Sequence, residues 1–512
     1  MSQVIAHSAR AQPEQMGTAT ADEKEKASKD LDRSLVHGIA WTGGMRFLAQ
    51  SLRWASTLLL ARLLSPSDYG LVGYATVYLG LISLVNELGL SAAIVQQRHL
   101  TKQQIAKIGG VSAILGVTLF LLSIAGAPLV ASFFREARVQ PIVAVLASTF
   151  VLKGFQVLPR ALMTRELEFR RMAWIDGIEA AVLAGSTLLL AFLGHGYWSL
   201  VMGSIIGTTV GTLLAWGFRP HPMAWPSDFA SIRESVTYGA HVATSRVTWY
   251  LYSHADFAVV GRMLGTVALG AYTFGWSIAN IPVEKVSAVL SRVTSGVFAS
   301  AQHDNAAIRR YLLSLTEGLA MVTFPIAAGL ALVSREFILV LLGDKWEPAI
   351  LPMALLVAYS GFRSISLLFG QVLVATGRAR RNMHFGIIAL IVLPILFMLG
   401  ARWGTAGVAL AWIVGYPAVF VPFAMKYTLK EVSLSWSAYG RALWPALSST
   451  AVMMAAVLGV RLLLPDGDDT RTMALRLIVS VVVGILSYAA MGLGAHGARM
   501  RAFQSVLALV RK

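Results

Sequence analysis

IGGVSAILGVTLFLLSIAGAPLVASFF, residues 108–134, contains no Asp, Glu, Lys or Arg. A helix of about 20 such residues crosses a hydrocarbon core of roughly 30 Å, so the stretch reads as a transmembrane helix with residues to spare. Residues 403–425, 442–460 and 477–498 are equally free of those four residue types. Residues 180–218 are free of them too, but the run is too long for one crossing, and His195-Gly196-Tyr197 divides it into two. Composition agrees: of 512 residues 56% are hydrophobic and 13% charged, against about 25% charged in a soluble domain. The net charge of +17 is spread singly between apolar runs, whereas a nucleic-acid binder clusters its Lys and Arg on a polar surface. With no cysteine there is no disulfide framework, thiolate metal site or cysteine nucleophile.

Working outward, the pattern predicts an all-α polytopic membrane protein of about fourteen spans: 38–61, 71–94, 108–132, 138–159, 173–193, 197–217, 237–260, 270–290, 311–333, 349–375, 384–400, 403–425, 442–463 and 474–494. Residues 1–36 are polar, mixed in charge and without an apolar core, and read as a disordered tail and not a cleaved leader. An even number of spans puts both termini on one side. Loops on the tail's side hold nineteen Lys and Arg against ten in the opposite loops, which makes the termini cytoplasmic. The opposite loops are all short, the longest being about residues 334–348.

The chain also resembles itself. Displaced by 200 residues, Arg46 falls on Arg246, Arg62-Leu63-Leu64 on Arg262-Met263-Leu264, Gly70 on Gly270 and Tyr74 on Phe274. The register predicts two six-helix lobes, 37–218 and 237–428, joined by a Pro-rich cytoplasmic linker at 219–236 and followed by two helices and a tail in 429–512. Because six spans preserve orientation, the lobes are expected to be related by a pseudo-two-fold axis along the membrane normal, a transporter arrangement with its path between the lobes.

An ionisable group at mid-bilayer costs at least about 2.5–3.5 kcal/mol, so each charge inside a span requires a reason. Arg46, Gln50 and Arg53 stand at i, i+4 and i+7, on one helical face. Arg246, Tyr250 and Ser253 repeat the spacing, and Arg363 is the corresponding cation of the tenth span. Unpaired guanidinium forks facing one cavity suit phosphate oxygens, which makes Arg46, Gln50, Arg53, Arg246, Tyr250 and Arg363 the candidate substrate-binding set. Each arginine also has a plainer reading, snorkelling to an interface or neutralising a carboxylate. Glu87, Asp256 and Glu317 are candidates for ion coupling or for pairing with those cations, and Asp176 with Glu179 reads as structural. Gly43-Gly44 and Pro282 are candidate bending points. No Walker loop, HExxH pair or GxSxG elbow is present, and the histidines show no ligand spacing. No metal, cofactor or enzymatic activity is expected.

The stretch from Trp41-Thr42-Gly43-Gly44 through Ala61-Arg62-Leu63-Leu64-Ser65-Pro66-Ser67-Asp68-Tyr69-Gly70 to Asn86-Glu87-Leu88-Gly89-Leu90 resembles the opening of the bacterial polysaccharide transporter (Wzx-type flippase) family, and so does Leu373-Val374-Ala375-Thr376-Gly377. The resemblance spans about residues 37–490, with "ARLLSPSDYG" its most specific part. It implies fourteen helices in two six-helix lobes plus two, in the bacterial inner membrane. It further implies alternating-access transfer of undecaprenyl-pyrophosphate-linked oligosaccharides through a cationic cavity, for exopolysaccharide, capsule or O-antigen synthesis. Polysaccharide polymerase and chain-length regulator proteins are the partners it suggests, around a monomeric transporter. The alternatives are a lipid II flippase, a cation-coupled multidrug antiporter of the same superfamily, and a membrane polymerase or ligase; the last is disfavoured by the short outward loops.

Overall fold

The Ser-Pro-Ser-Asp sequence of residues 65–68 starts a helix by a capping box. The Asp68 backbone N–H donates to Ser65 Oγ at 3.2 Å, and the Ser65 N–H donates to Asp68 Oδ2 at 2.8 Å. Pro66 occupies the first helical position, where no N–H is needed. The computed structural model describes residues 56–86, 90–97, 100–226, 247–281, 283, 304–467 and 469–511. The N-terminal tail, Gly43-Gly44, Pro282 and most of the linker lie outside them.

The described helices in chain order are α1 (56–63), α2 (Pro66–Asn86), α3 (Leu90–Gln96), α4 (Lys102–Phe134), α5 (Val139–Arg165), α6 (Phe169–Phe192), α7 (Tyr197–Phe218), α8 (247–253), α9 (Ala255–Leu264), α10 (266–281), α11 (Asn305–Leu332), α12 (Ser334–Leu342), α13 (Ile350–Ala375), α14 (Ala379–Gly400), α15 (404–431), α16 (Trp436–Leu463) and α17 (Thr470–Arg511, kinked at His496). Thr101 with Gln104 caps α4, Asp304 caps α11 and Ser435 caps α16. Among the described residues nine helical stretches are long and apolar enough to cross a membrane, one of them, Arg380–Glu431, covering α14 and α15 together. Large apolar side chains on their outer faces stay exposed, such as Leu129 at 73% and Leu463 at 85%, as lipid-facing positions require. The chain is therefore an all-α polytopic membrane protein.

Neighbours in sequence pack as antiparallel pairs, α4 on α5, α6 on α7 and α16 on α17, with α11 between α13 and α16. The break expected at His195-Gly196 separates α6 from α7, with Gly194 and Gly196 both at positive φ. Two segments differ from expectation. The seventh span is not continuous: it breaks at His254, between α8 and α9, and Asp256 Oδ1 accepts the Phe257 N–H at 2.9 Å, a local side-chain bond that competes with the helix. The outward segment 334–348 is not an open loop. It folds as α12 and a 3₁₀ turn, Asp344–Ala349.

That segment is tied down by a buried charge. Glu336 Oε1 accepts from Arg461 Nη2 at 2.6 Å and lies 4.0 Å from Arg476 Nε, while Arg461 Nη1 also donates to the Leu332 carbonyl and Arg476 pairs with Asp466. These bonds join α12 to α16 and α17. Removing one partner of a buried pair leaves the other uncompensated, at about 3–5 kcal/mol. Glu336→Ala is therefore expected to lower the thermal unfolding midpoint of the detergent-solubilised protein sharply, and Glu336→Gln by less; an unchanged midpoint for both would contradict this account.

Candidate functional site

Within the C-terminal half, α9, α10, α13, α14 and α15 bring together an extended aromatic cluster. Trp412 contacts Trp276, Tyr359, Phe397 and Tyr416 at ring separations of 5.0–5.9 Å, and Tyr416 continues to Phe420 at 5.5 Å. Trp412 owes its position to an irregular helix. α15 contains two π-helical turns, Ala411–Gly415 and Val421–Met425, in which the Tyr416 N–H reaches Ala411 O and the Lys426 N–H reaches Val421 O. Pro417 and Pro422 supply no N–H, and the wider register absorbs the lost bonds.

Two of the expected charges sit against this cluster. Asp256, on α9, is fully buried. Its Oδ2 accepts from the Tyr272 hydroxyl and from Trp412 Nε1, each at 2.8 Å. Among the described residues no cation pairs with it, and its donors are all neutral groups. Arg363, half-buried on α13, donates from Nη1 to Asn280 Oδ1 and places its guanidinium carbon 5.3 Å from the centroid of the Trp276 ring. Asn280 and Trp276 are i+4 apart on α10, so one helical face holds the arginine by an amide and a π-face. Among the described residues no carboxylate neutralises Arg363. The anion and cation thus share one cluster and are kept apart by its rings: Trp276 touches both Arg363 and Phe257, the neighbour of Asp256.

The other candidates fall elsewhere. Tyr250 is buried, its hydroxyl donates to the Val77 carbonyl of α2 at 3.0 Å, and its ring stacks on His254 at 3.9 Å. It is committed to closing α8 on α2, and it lines an apolar cavity of about 430 Å³ with Val77, Leu129, Phe133 and His254. The structure does not bring it to Arg363. Glu317 is half-buried on α11. Arg46, Gln50, Arg53, Glu87 and Arg246 lie outside the described residues. Asp176 and Glu179 are held by Arg160, at 2.6 and 2.9 Å, in the structural role expected of them. Sequence reasoning missed Asn280, Trp276, Tyr272 and Trp412. The i, i+4 spacing of Trp276 and Asn280 was available as a signal; the aim of Trp412 was not, because a π-turn changes the face a residue presents.

The profile of a family described as "Polysaccharide biosynthesis protein" matches residues 59–351. The teichuronic acid biosynthesis protein TuaB of Bacillus subtilis is 25% identical over 462 residues, 90% of this chain and 95% of its own length. The probable low-salt glycan biosynthesis flippase Agl15 of Haloferax volcanii is 23% identical over 478 residues, 90% of this chain and 96% of its own. In fold, the chain is similar to the lipid II flippase MurJ in an inward closed conformation, with a TM-score of 0.70 at 14% identity over 89% of this chain and 98% of that one.

Proposed function

The chain belongs to the polysaccharide biosynthesis protein family, and from that premise we propose a flippase, not an enzyme, that moves a polyprenyl-pyrophosphate-linked oligosaccharide from the cytoplasmic to the outer leaflet of a bacterial inner membrane. The observation that carries the reading is Arg363: a guanidinium inside a membrane-crossing helix, held by Asn280 and Trp276 and matched to no carboxylate among the described residues. A charge kept at that depth without neutralisation belongs to a wet pathway and an anionic cargo. A pyrophosphate presents oxygens to a fork that still has N–H groups to give. Arg46, Gln50, Arg53 and Arg246 are the matching contacts from the other helices, and Tyr250 packs at the edge of the path.

In this reading the lobes 37–218 and 237–428 rock about linker 219–236, with both termini cytoplasmic. The sugar headgroup crosses in the cavity while the prenyl chain stays in lipid. Asp256 suits the coupling ion and not a bulky cationic drug, because it is fully buried and its oxygens are taken up by Tyr272, Trp412 and the Phe257 N–H. A proton is the cation that fits there, since the groups around the carboxylate are hydrogen-bond donors. Glu87 and Glu317 are further candidates for coupling, and polymerase and chain-length regulator proteins are the partners that would take the product outside.

The test is reconstitution in vesicles holding a fluorescent polyprenyl-pyrophosphate oligosaccharide in the inner leaflet. The expected result is protein-dependent exposure of the sugar to a membrane-impermeant quencher. Exposure no faster than in protein-free vesicles, or transport of cationic dyes instead, refutes the proposal.

A further inference from the structure

We infer that Ala61–Gly70, with Val340–Trp346 and the start of α10, forms the closure of the path at its outer end and holds the transporter shut on that side. The inference rests on the flippase reading for its direction, but its contacts stand on their own.

Four hydrogen bonds cross between the halves within a few residues. Trp346 Nε1, fully buried, donates to the Ala61 carbonyl at 2.7 Å. Arg62 Nη2 donates to the Val340 carbonyl at 2.8 Å and its Nε to the Leu341 carbonyl, while Lys345 Nζ donates back to the Arg62 carbonyl. Val340 and Leu341 are in the last turn of α12, whose carbonyls have no intrahelical donors, so Arg62 completes and charge-matches a helix C-terminus on the opposite half. Gly343 closes that helix at φ 90°, with its N–H on Ile338 O and Leu339 O, which leaves the next two carbonyls for Arg62. Below these bonds the Tyr69 ring lies edge-on to Trp346 at 5.3 Å and to Phe274 at 6.2 Å. Asp68 connects the same turn to α7, accepting the Tyr197 N–H at 3.0 Å.

The helices then meet backbone to backbone. A Cβ at Gly70 would lie 1.9 Å from the Thr266 carbonyl oxygen, and a Cβ at Gly270 would lie 1.7 Å from the Pro66 carbonyl oxygen. The two contacts are one contact seen twice: residue 70 meets 266 and residue 270 meets 66, in the same 200-residue register that the sequence repeat shows. A self-complementary contact of this kind sits on the pseudo-two-fold axis, where a path between the halves would have to run. With α2 and α10 touching there, no headgroup passes. The bonds of Arg62 and Lys345 are at exposed positions and made to carbonyls that water can solvate, so they can break without stranding a buried charge. That is what a seal that opens in each cycle requires.

The chain has no native cysteine, so a single one reports accessibility. Leu269, fully buried behind the glycine contact and packed on Gly73, is the reporter as Leu269→Cys. In intact cells, a membrane-impermeant maleimide added outside is expected to label it slowly in the parent. Labelling should be severalfold faster when Arg62→Ala and Lys345→Ala are combined, and faster again with Gly70→Leu, which forces the helices apart. The Arg62 and Lys345 replacements remove only exposed side chains, so they decide the matter if the leucine variant fails to accumulate. Unchanged outside labelling in that double variant, or acceleration only from the cytoplasmic side of inverted vesicles, overturns the inference. Neither result depends on the cargo, so failure here is distinguishable from failure of the oligosaccharide transport assay.

Discussion

Surface polysaccharide is expected to fall at least about tenfold when Arg363 is replaced by Ala in a strain that depends on this chain, with the protein present at normal levels. Losing a charged hydrogen-bonding partner of a bound anion costs about 1.5–3 kcal/mol, roughly ten- to a hundredfold in occupancy. The fold should tolerate the change, because Arg363 is half-buried and its partners Asn280 and Trp276 are neutral; no carboxylate among the described residues is left bare. Arg363→Lys should recover only part of the activity: an ammonium keeps the charge but loses the planar fork that reaches Asn280 and two phosphate oxygens together. Replacing Arg46 and Arg246 together by Ala is expected to abolish export outright, since the two occupy matching positions across the repeat. Quantitative immunoblotting of the polymer, normalised to membrane protein, is the measurement. Wild-type export from either variant would remove the arginines from the substrate path.

The second large effect concerns driving force. Asp256→Asn is expected to leave basal flipping measurable but to eliminate its response to an imposed ion gradient. The carboxylate is surrounded by donors: Tyr272 and Trp412 on Oδ2 and the Phe257 N–H on Oδ1. No cation pairs with it among the described residues, and an anion at membrane depth is at least about 2.5–3.5 kcal/mol unfavourable, so the proposed role is to take up a coupling cation. Binding and release of that cation would act on α9, α10 and the π-turn of α15 at once, since all three hold the same oxygen atoms or their neighbours. An asparagine cannot lose or gain charge, and its NH₂ must face one of the existing donors, which adds a cost of about 1–3 kcal/mol to folding. Vesicle flipping rates under a pH step and, separately, a sodium step identify the ion; an undiminished gradient response in Asp256→Asn would exclude this residue.

The legibility of the molecule divides by distance along the chain. The turn at His195-Gly196 and the boundaries of α7 at Tyr197–Phe218 and of α13 at Ile350–Ala375 were readable because each depends on residues within a turn of one another. The 200-residue register was readable too, and its physical content became visible where Gly70 and Gly270 meet. The partner of Tyr250 was not readable from its spacing: its hydroxyl goes to Val77, which no periodicity names. The stretch at 334–348 read as a loop because its polar ends were seen and its buried Glu336, with partners on α16 and α17, was not.

What the sequence determined by itself is that this chain lives in a membrane as a bundle of helices. In hydrocarbon every backbone N–H and C=O must be satisfied within its own segment, so a long run of apolar residues specifies its secondary structure locally, without reference to the rest of the chain. What only the tertiary structure decided is the company each polar group keeps. Trp412 reaches Asp256 across 156 residues and Arg62 reaches Val340 across 278. Such partners are chosen by which helices pack together and how a π-turn aims a ring. They set Asp256 among neutral donors and Arg363 against an amide and a ring, though both appear in the sequence simply as charges in apolar spans.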